Sequence, residues 1–138
     1  MSLIAFTGHL STPRTFSCAE LRALPAQVSE RSLLLGGRAI VGVRIGSLLA
    51  ALGPKPWARF AVVRADDGFV ASLPIALADD CVLVYAVGDG PVPVELGGPF
   101  RLFARGAGRC SNVKHVCAIE LSERAVAVEH ACRKKAAM

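Results

Sequence analysis

The chain is poor in aromatic residues. One tryptophan, one tyrosine and six phenylalanines make up 6% of its 138 residues. A core with so few large rings has to be filled by leucine, valine, isoleucine and alanine. Hydrophobic residues reach 53%, so a disordered chain is excluded. Long apolar runs are also missing. None approaches the roughly 18–20 residues that a membrane helix requires, because Gly42 and Gly46, or Asp79 and Asp80, interrupt the candidates. A basic stripe is lacking too. The net charge is +5, but Arg133, Lys134 and Lys135 carry three of those charges at the C-terminal end. A nucleic-acid surface would want them on the fold itself. Neither nucleic acid nor membrane is therefore expected as a partner. Met1–Leu10 has no cationic n-region and no cleavage site. The expected compartment is cytoplasmic, or periplasmic if a leader once preceded Met1-Ser2-Leu3. The five cysteines are odd in number and contain no CxxC. Reduced thiols are the plainer reading.

What is present reads as one domain without repeats. Leu3–Gly8 is an opening strand. Ser17-Cys18-Ala19-Glu20 has the form of a capping box and opens a short helix that Pro25 stops. Val28–Leu35 and Arg38–Arg44 form strands around the Gly36-Gly37 turn. Ile45, Leu48, Leu49 and Leu52 recur at helical spacing up to Gly53-Pro54. Phe60–Ala65 and Phe69–Leu73 flank an Asp66-Asp67-Gly68 turn, and Cys81–Val87 is an apolar strand. Phe100–Arg105 and a long Asn112–Leu121 strand enclose a glycine-containing loop at Gly106 and Gly108. The expected fold is α+β, a mostly β mixed sheet with short helices. It spans residues 1–121 and is followed by a basic tail, 122–138.

One segment carries a chemical signal. No acidic residue lies between Leu96 and Ile119, whereas Arg101, Arg105, Arg109 and Lys114 all do. Arginine forks, a lysine and glycine-exposed amides suit a phosphate or pyrophosphate. The competing reading is an ordinary solvated basic hairpin. Cys110, His115, Cys117, His130 and Cys132 also lie close in sequence, but without the knuckle spacing of structural zinc sites. The preferred reading puts Val113, His115, Cys117 and Ile119 on one sheet face, with a hydrogen-bonded histidine and no metal. His9, beside Gly8, reads as a turn residue without a partner. Ser32, Ser47, Ser72 and Ser122 lack a nucleophile-elbow context, and Asp66-Asp67 and Asp79-Asp80 are placed as turn residues.

Five motifs, in order, resemble one family. Phe16-Ser17-Cys18-Ala19-Glu20-Leu21-Arg22-Ala23-Leu24-Pro25 looks like the helix-to-proline segment of the sulfite-oxidase-type molybdopterin-binding domain. Gly42-Val43-Arg44-Ile45-Gly46-Ser47-Leu48-Leu49 resembles its Gly-Val-x-Leu-x-x-Leu-Leu segment, and Asp66-Asp67-Gly68-Phe69 its Asp-Gly-Tyr hairpin. Gly97-Gly98-Pro99-Phe100-Arg101-Leu102 and Val113-Lys114 resemble its Gly-Gly-Pro-x-Arg-Leu and Val-Lys-Trp elements, with His115 in place of the tryptophan.

The resemblance implies a fold that cradles a molybdenum-pterin cofactor, with a cysteine thiolate on the metal. It puts that cysteine within Ala26–Val41, which contains none. It makes Lys114 a contact to the pterin or phosphate part, with partners near Arg109 and Asn112. The leading reading is thus a degenerate, non-catalytic member. Its basic groove of Arg101, Arg109, Asn112 and Lys114 would bind a pterin or another phosphorylated small molecule, with molybdopterin as the implied cofactor. The alternative is a molybdenum-pterin-dependent oxidoreductase, or a subunit of one, with an atypical metal ligand. A third reading is an interaction module that keeps only the scaffold.

Overall fold

A computed structural model describes residues 2–32, 35–104 and 112–126. Ten strands and three short helices follow one another as β1 (Leu3–Gly8), β2 (Arg14–Ser17), α1 (Cys18–Arg22), β3 (Gln27–Ser32), β4 (Arg38–Arg44), α2 (Ile45–Leu52), β5 (Phe60–Ala65), β6 (Val70–Pro74), α3 (Ile75–Ala78), β7 (Cys81–Val87), β8 (Gly90–Pro91), β9 (Arg101–Ala104) and β10 (Val116–Ser122). A 3-10 turn at Val94–Leu96 lies between β8 and β9. The strands form two five-stranded sheets. The first runs β2-β1-β10-β5-β6, and its β1–β10 pair is parallel. The second runs β3-β4-β7-β8, with β9 also paired to β7.

Local chemistry explains the elements. Ser17 Oγ accepts from the Glu20 amide at 3.2 Å and Glu20 Oε1 accepts from the Ser17 amide at 3.0 Å, so the capping box is closed. Gln27 Nε2 donates to the Leu21 and Leu24 carbonyls at 2.8 and 2.9 Å, which ties the end of α1 to β3. The Tyr85 hydroxyl bonds Gln27 Oε1 and holds β7 to the same point. Along α2, Ile45, Leu48, Leu49 and Leu52 are buried, as their spacing requires. Val43, Cys81, Leu83 and Tyr85 meet Ile4, Phe6, Ala61, Val63 and Ile119 of the first sheet in the main core. Val82 and Val84 pack with Ile40, Val92 and Phe103 in a second cluster. The β7 sequence is apolar without alternation because both of its faces are covered.

Two elements carry no sequence signal. β2 has four residues beginning after Pro13, too few for a visible alternation. The single turn of α3 carries no side-chain cap. One expectation needs revision: the long strand at Asn112–Leu121 is broken. Val113 forms an isolated bridge to Leu102, His115 is left-handed at φ 58°, and β10 starts at Val116. A bulge follows, because Val116 faces Ala65 and Ala118 faces Arg64, leaving Cys117 as the extra residue. The bulge switches the face, so Val116, Ile119 and Leu121 are buried while Cys117 is only half-buried. The tail does not leave the domain at once. Ser72 Oγ donates to the Val126 carbonyl at 2.8 Å and accepts from the Val126 amide at 2.7 Å.

The crossing from β9 to β10 joins the two sheets. The Leu102 and Val113 amides and carbonyls exchange bonds of 2.8 and 3.0 Å. The His115 amide donates to the Gly97 carbonyl at 2.7 Å, the Val116 amide to the Phe100 carbonyl at 2.9 Å, and the Asp66 amide to the His115 carbonyl at 3.0 Å. The turn at Gly97-Gly98 is tight enough that a Cβ on Gly98 would overlap the Val92 carbonyl. That neighbour is backbone and cannot rotate away. Gly98→Ala is therefore expected to destabilise by at least ~2 kcal/mol. Gly90→Ala, where nothing lies within 4 Å, is the control. Urea unfolding of both checks this, and equal midpoints would contradict it.

Cys81 points into the main core at 0% exposure. Burial, with Asp80 and Asp79 adding their charge, pushes its thiol from 9.0 up to about 11. A thiol held protonated stabilises the fold below its ordinary value, and that contribution is lost as pH rises from 9.0 through about 11. Iodoacetamide at pH 8 should alkylate Cys81 far more slowly in the folded protein than in urea. Mass spectrometry measures both rates, and equal rates would contradict the burial.

Candidate functional site

The sheet crossing also brings the candidate residues together. Gly97 is buried with φ +96°, and a Cβ there would lie 2.9 Å from Lys114 Cγ and 3.0 Å from Arg101 Cδ. The stems of Lys114 and Arg101 therefore both flank one glycine, which has to be bare to admit them. Lys114 is exposed and carries its ammonium outward from this contact.

Arg101 is placed differently. It is only 7% exposed, although β9 is a short strand and the residue is an arginine. Its guanidinium lies 4.9 Å over the Phe103 ring. Nη1 donates to the Leu96 carbonyl at 2.9 Å, while Nε is buried and has no hydrogen-bond partner. Burial draws its pKa below the usual arginine value, because the charge is costly there. An arginine nevertheless stays protonated. Among the described residues no carboxylate pairs with it; the two ion pairs described are Arg14–Glu20 and Arg64–Glu120. A buried cation with an unsatisfied donor and no counter-charge is a destabilising arrangement that an anion would relieve.

The remaining candidates are distributed around this point. Asn112 is half-buried and directly precedes the Val113 bridge. Arg105 and Arg109 lie outside the described residues, as do Cys110, His130 and Cys132. Next to the Arg101–Leu96 contact opens a cleft of ≈ 510 Å³, lined by Arg38, Ala39, Val87, Gly88, Pro91, Pro93, Glu95 and Leu96. No local pattern signals this cleft, because its walls come from β4, the end of β7, β8 and the 3-10 turn. Leu96 belongs to both the cleft and the arginine contact.

The two described histidines are both bonded. His115 Nδ1 lies 2.8 Å from the Gly98 carbonyl, so the expected hydrogen-bonded histidine is present, on a left-handed residue rather than a sheet face. His9, expected to lack a partner, accepts from Trp57 Nε1 at 3.1 Å. The partner is 48 positions away, which no local pattern could reveal. Cys18 and Cys117 are half-buried, and burial is the main cause that raises both thiols. Cys117 Sγ bonds the Arg64 carbonyl, and Cys81 Sγ the Leu77 carbonyl. No group of three or more metal-binding side chains exists among the described residues. No described helix is long and apolar enough to cross a membrane.

Comparison with known proteins places this geometry. The chain is similar to the sulfane dehydrogenase SoxCD from Paracoccus pantotrophus, with a TM-score of 0.74 and 21% identity. The match covers 91% of this chain and 39% of that one. At this identity the likeness is one of fold: two mostly antiparallel sheets with short helices. No curated protein matches by sequence. The model of the family described as "Oxidoreductase molybdopterin binding domain" matches residues 34–129, a stretch that includes the cleft, Arg101 and Lys114. The chain therefore belongs to the oxidoreductase molybdopterin-binding domain family, the family that its five ordered motifs resemble.

Proposed function

We propose that this chain is a non-catalytic molybdopterin-binding-fold domain that holds the phosphate-bearing end of a pterin, or another phosphorylated small molecule, at Arg101 and Lys114. The observation that carries this is the buried Arg101 guanidinium. It has an unpartnered Nε and no carboxylate among the described residues, and its Cδ and the Lys114 stem both flank Gly97. An anion supplies the missing counter-charge. Asn112 and Arg109 are the flanking contacts in this reading.

Among the described residues, the donor set fits the anionic end of molybdopterin and does not fit its metal. A molybdenum centre wants a deprotonated thiolate. Ala26–Val41 contains no cysteine. Cys81 is sealed in the core, and Cys18 and Cys117 have raised thiols. No redox step is therefore assigned to this chain.

Calorimetric titration with molybdopterin and with nucleotides tests the reading. Wild type should bind at least one of them, and Lys114→Ala should weaken that binding about tenfold, the effect of one charge-assisted bond. No binding by either protein would sink the proposal. Protein purified from a host that makes the cofactor should carry far less than stoichiometric molybdenum. Stoichiometric metal would instead support an oxidoreductase with an atypical ligand.

A further inference from the structure

We propose that the cleft beside the 3-10 turn is a binding site of its own, for a small zwitterion: a molecule with a carboxylate, a protonated amine and an apolar body.

Two opposite charges line this cleft. Arg38 stands at the start of β4, and Glu95 on the 3-10 turn at Val94–Leu96. Both residues are exposed. They do not pair with each other, and neither belongs to the ion pairs found among the described residues, Arg14–Glu20 and Arg64–Glu120. Two unlike charges held in one cleft beyond ion-pair distance leave a gap that a ligand with both signs can bridge. Its carboxylate accepts from the Arg38 fork, and its ammonium donates to the Glu95 carboxylate. A ligand of one sign gains one partner and meets one like charge.

The surface between the two charges is apolar and stiff. Val87 and Leu96 pack against the second cluster and also line the cleft, so the apolar surface continues into it. Pro91 and Pro93 line it as well, and their rings fix their own φ angles. The Pro93 carbonyl accepts from the Leu96 and Gly98 amides at 3.0 and 2.9 Å, which sets the segment that carries Glu95. The Gly88 amide donates to the Ala39 carbonyl at 2.8 Å, which sets the segment that carries Arg38. Little backbone ordering is left for a ligand to bring about. A cleft of ≈ 510 Å³ is of the size that small-molecule sites have. Among the described residues neither Arg101 nor Lys114 lines it, so the site is separate from the anion site.

The probes are 6-aminohexanoate, with its charges at the two ends, and leucine, with both charges on one carbon. Affinity is read near neutral pH from the NMR shifts of the Ala39, Gly88 and Leu96 amides. At least one probe should bind about threefold or more tightly than its one-charge analogues, the scale of one solvent-exposed charge pair. These are hexanoate and pentylamine for the first, and 4-methylpentanoate and 3-methylbutylamine for the second. Arg38→Gln and Glu95→Gln should each lose that margin. The double exchange Arg38→Glu with Glu95→Arg should restore it, because a zwitterion can enter turned end for end. Lys114→Ala should bind as wild type does. The proposal is overturned, and the anion site left standing, if neither zwitterion binds or if the one-charge analogues bind equally well. A margin that persists in either glutamine variant, or a double exchange that restores nothing, has the same meaning. A loss in Lys114→Ala would move the zwitterion to the anion site and overturn the proposal as well.

Discussion

The fold turns on the hydrogen bonds that the Gly97 and Gly98 carbonyls make with His115. They hold the second of the two places where the chain passes from the second sheet to the first, between the Leu102–Val113 bridge and the start of β10. β10 is the centre of the first sheet and pairs with both β1 and β5. Its register therefore depends on how the crossing is pinned. The bulge at Cys117 is the adjustment that follows, because a left-handed His115 delivers the chain one residue out of step with β5. The same constraint makes the site: a turn bare enough for the crossing is also bare enough for two cationic stems to flank it.

Much of this fold was legible in the sequence. The limits of β1, β4, α2, β5 and β7 agree with those expected from the sequence. Legibility fails where one side chain or carbonyl decides the backbone. Nothing in Asn112–Leu121 reveals that His115 is left-handed, since the cause lies at Gly97, Gly98 and Asp66. The four residues of β2 pair only with β1 and have no pattern long enough to read. The apolar run of β7 is plain in the sequence, but its two-sided burial comes from the first sheet on one face and from Ile40, Val92 and Phe103 on the other.

The site was half legible. An acid-free stretch that carries Arg101 and Lys114 pointed to an anion, and those two residues do flank one glycine. The sequence suggested an open groove of equivalent cations, and the described residues have a different division. Arg101 is buried against Phe103 and Leu96, whereas Lys114 is exposed. The missing thiolate was readable from Ala26–Val41 directly. That the remaining described thiols are held protonated required their burial to be known. The chain keeps the family's scaffold, and Ala26–Val41, where the resemblance puts the metal's thiolate, contains no cysteine.

The most direct measurement is a crystal structure of protein made in a cofactor-competent host, with diffraction recorded across the molybdenum absorption edge. The expected result is phosphate or pterin-phosphate density between Arg101 and Lys114, with no molybdenum anomalous peak in the chain. An anomalous peak ligated by a protein sulfur, or a site with no anion at Arg101, would contradict the account.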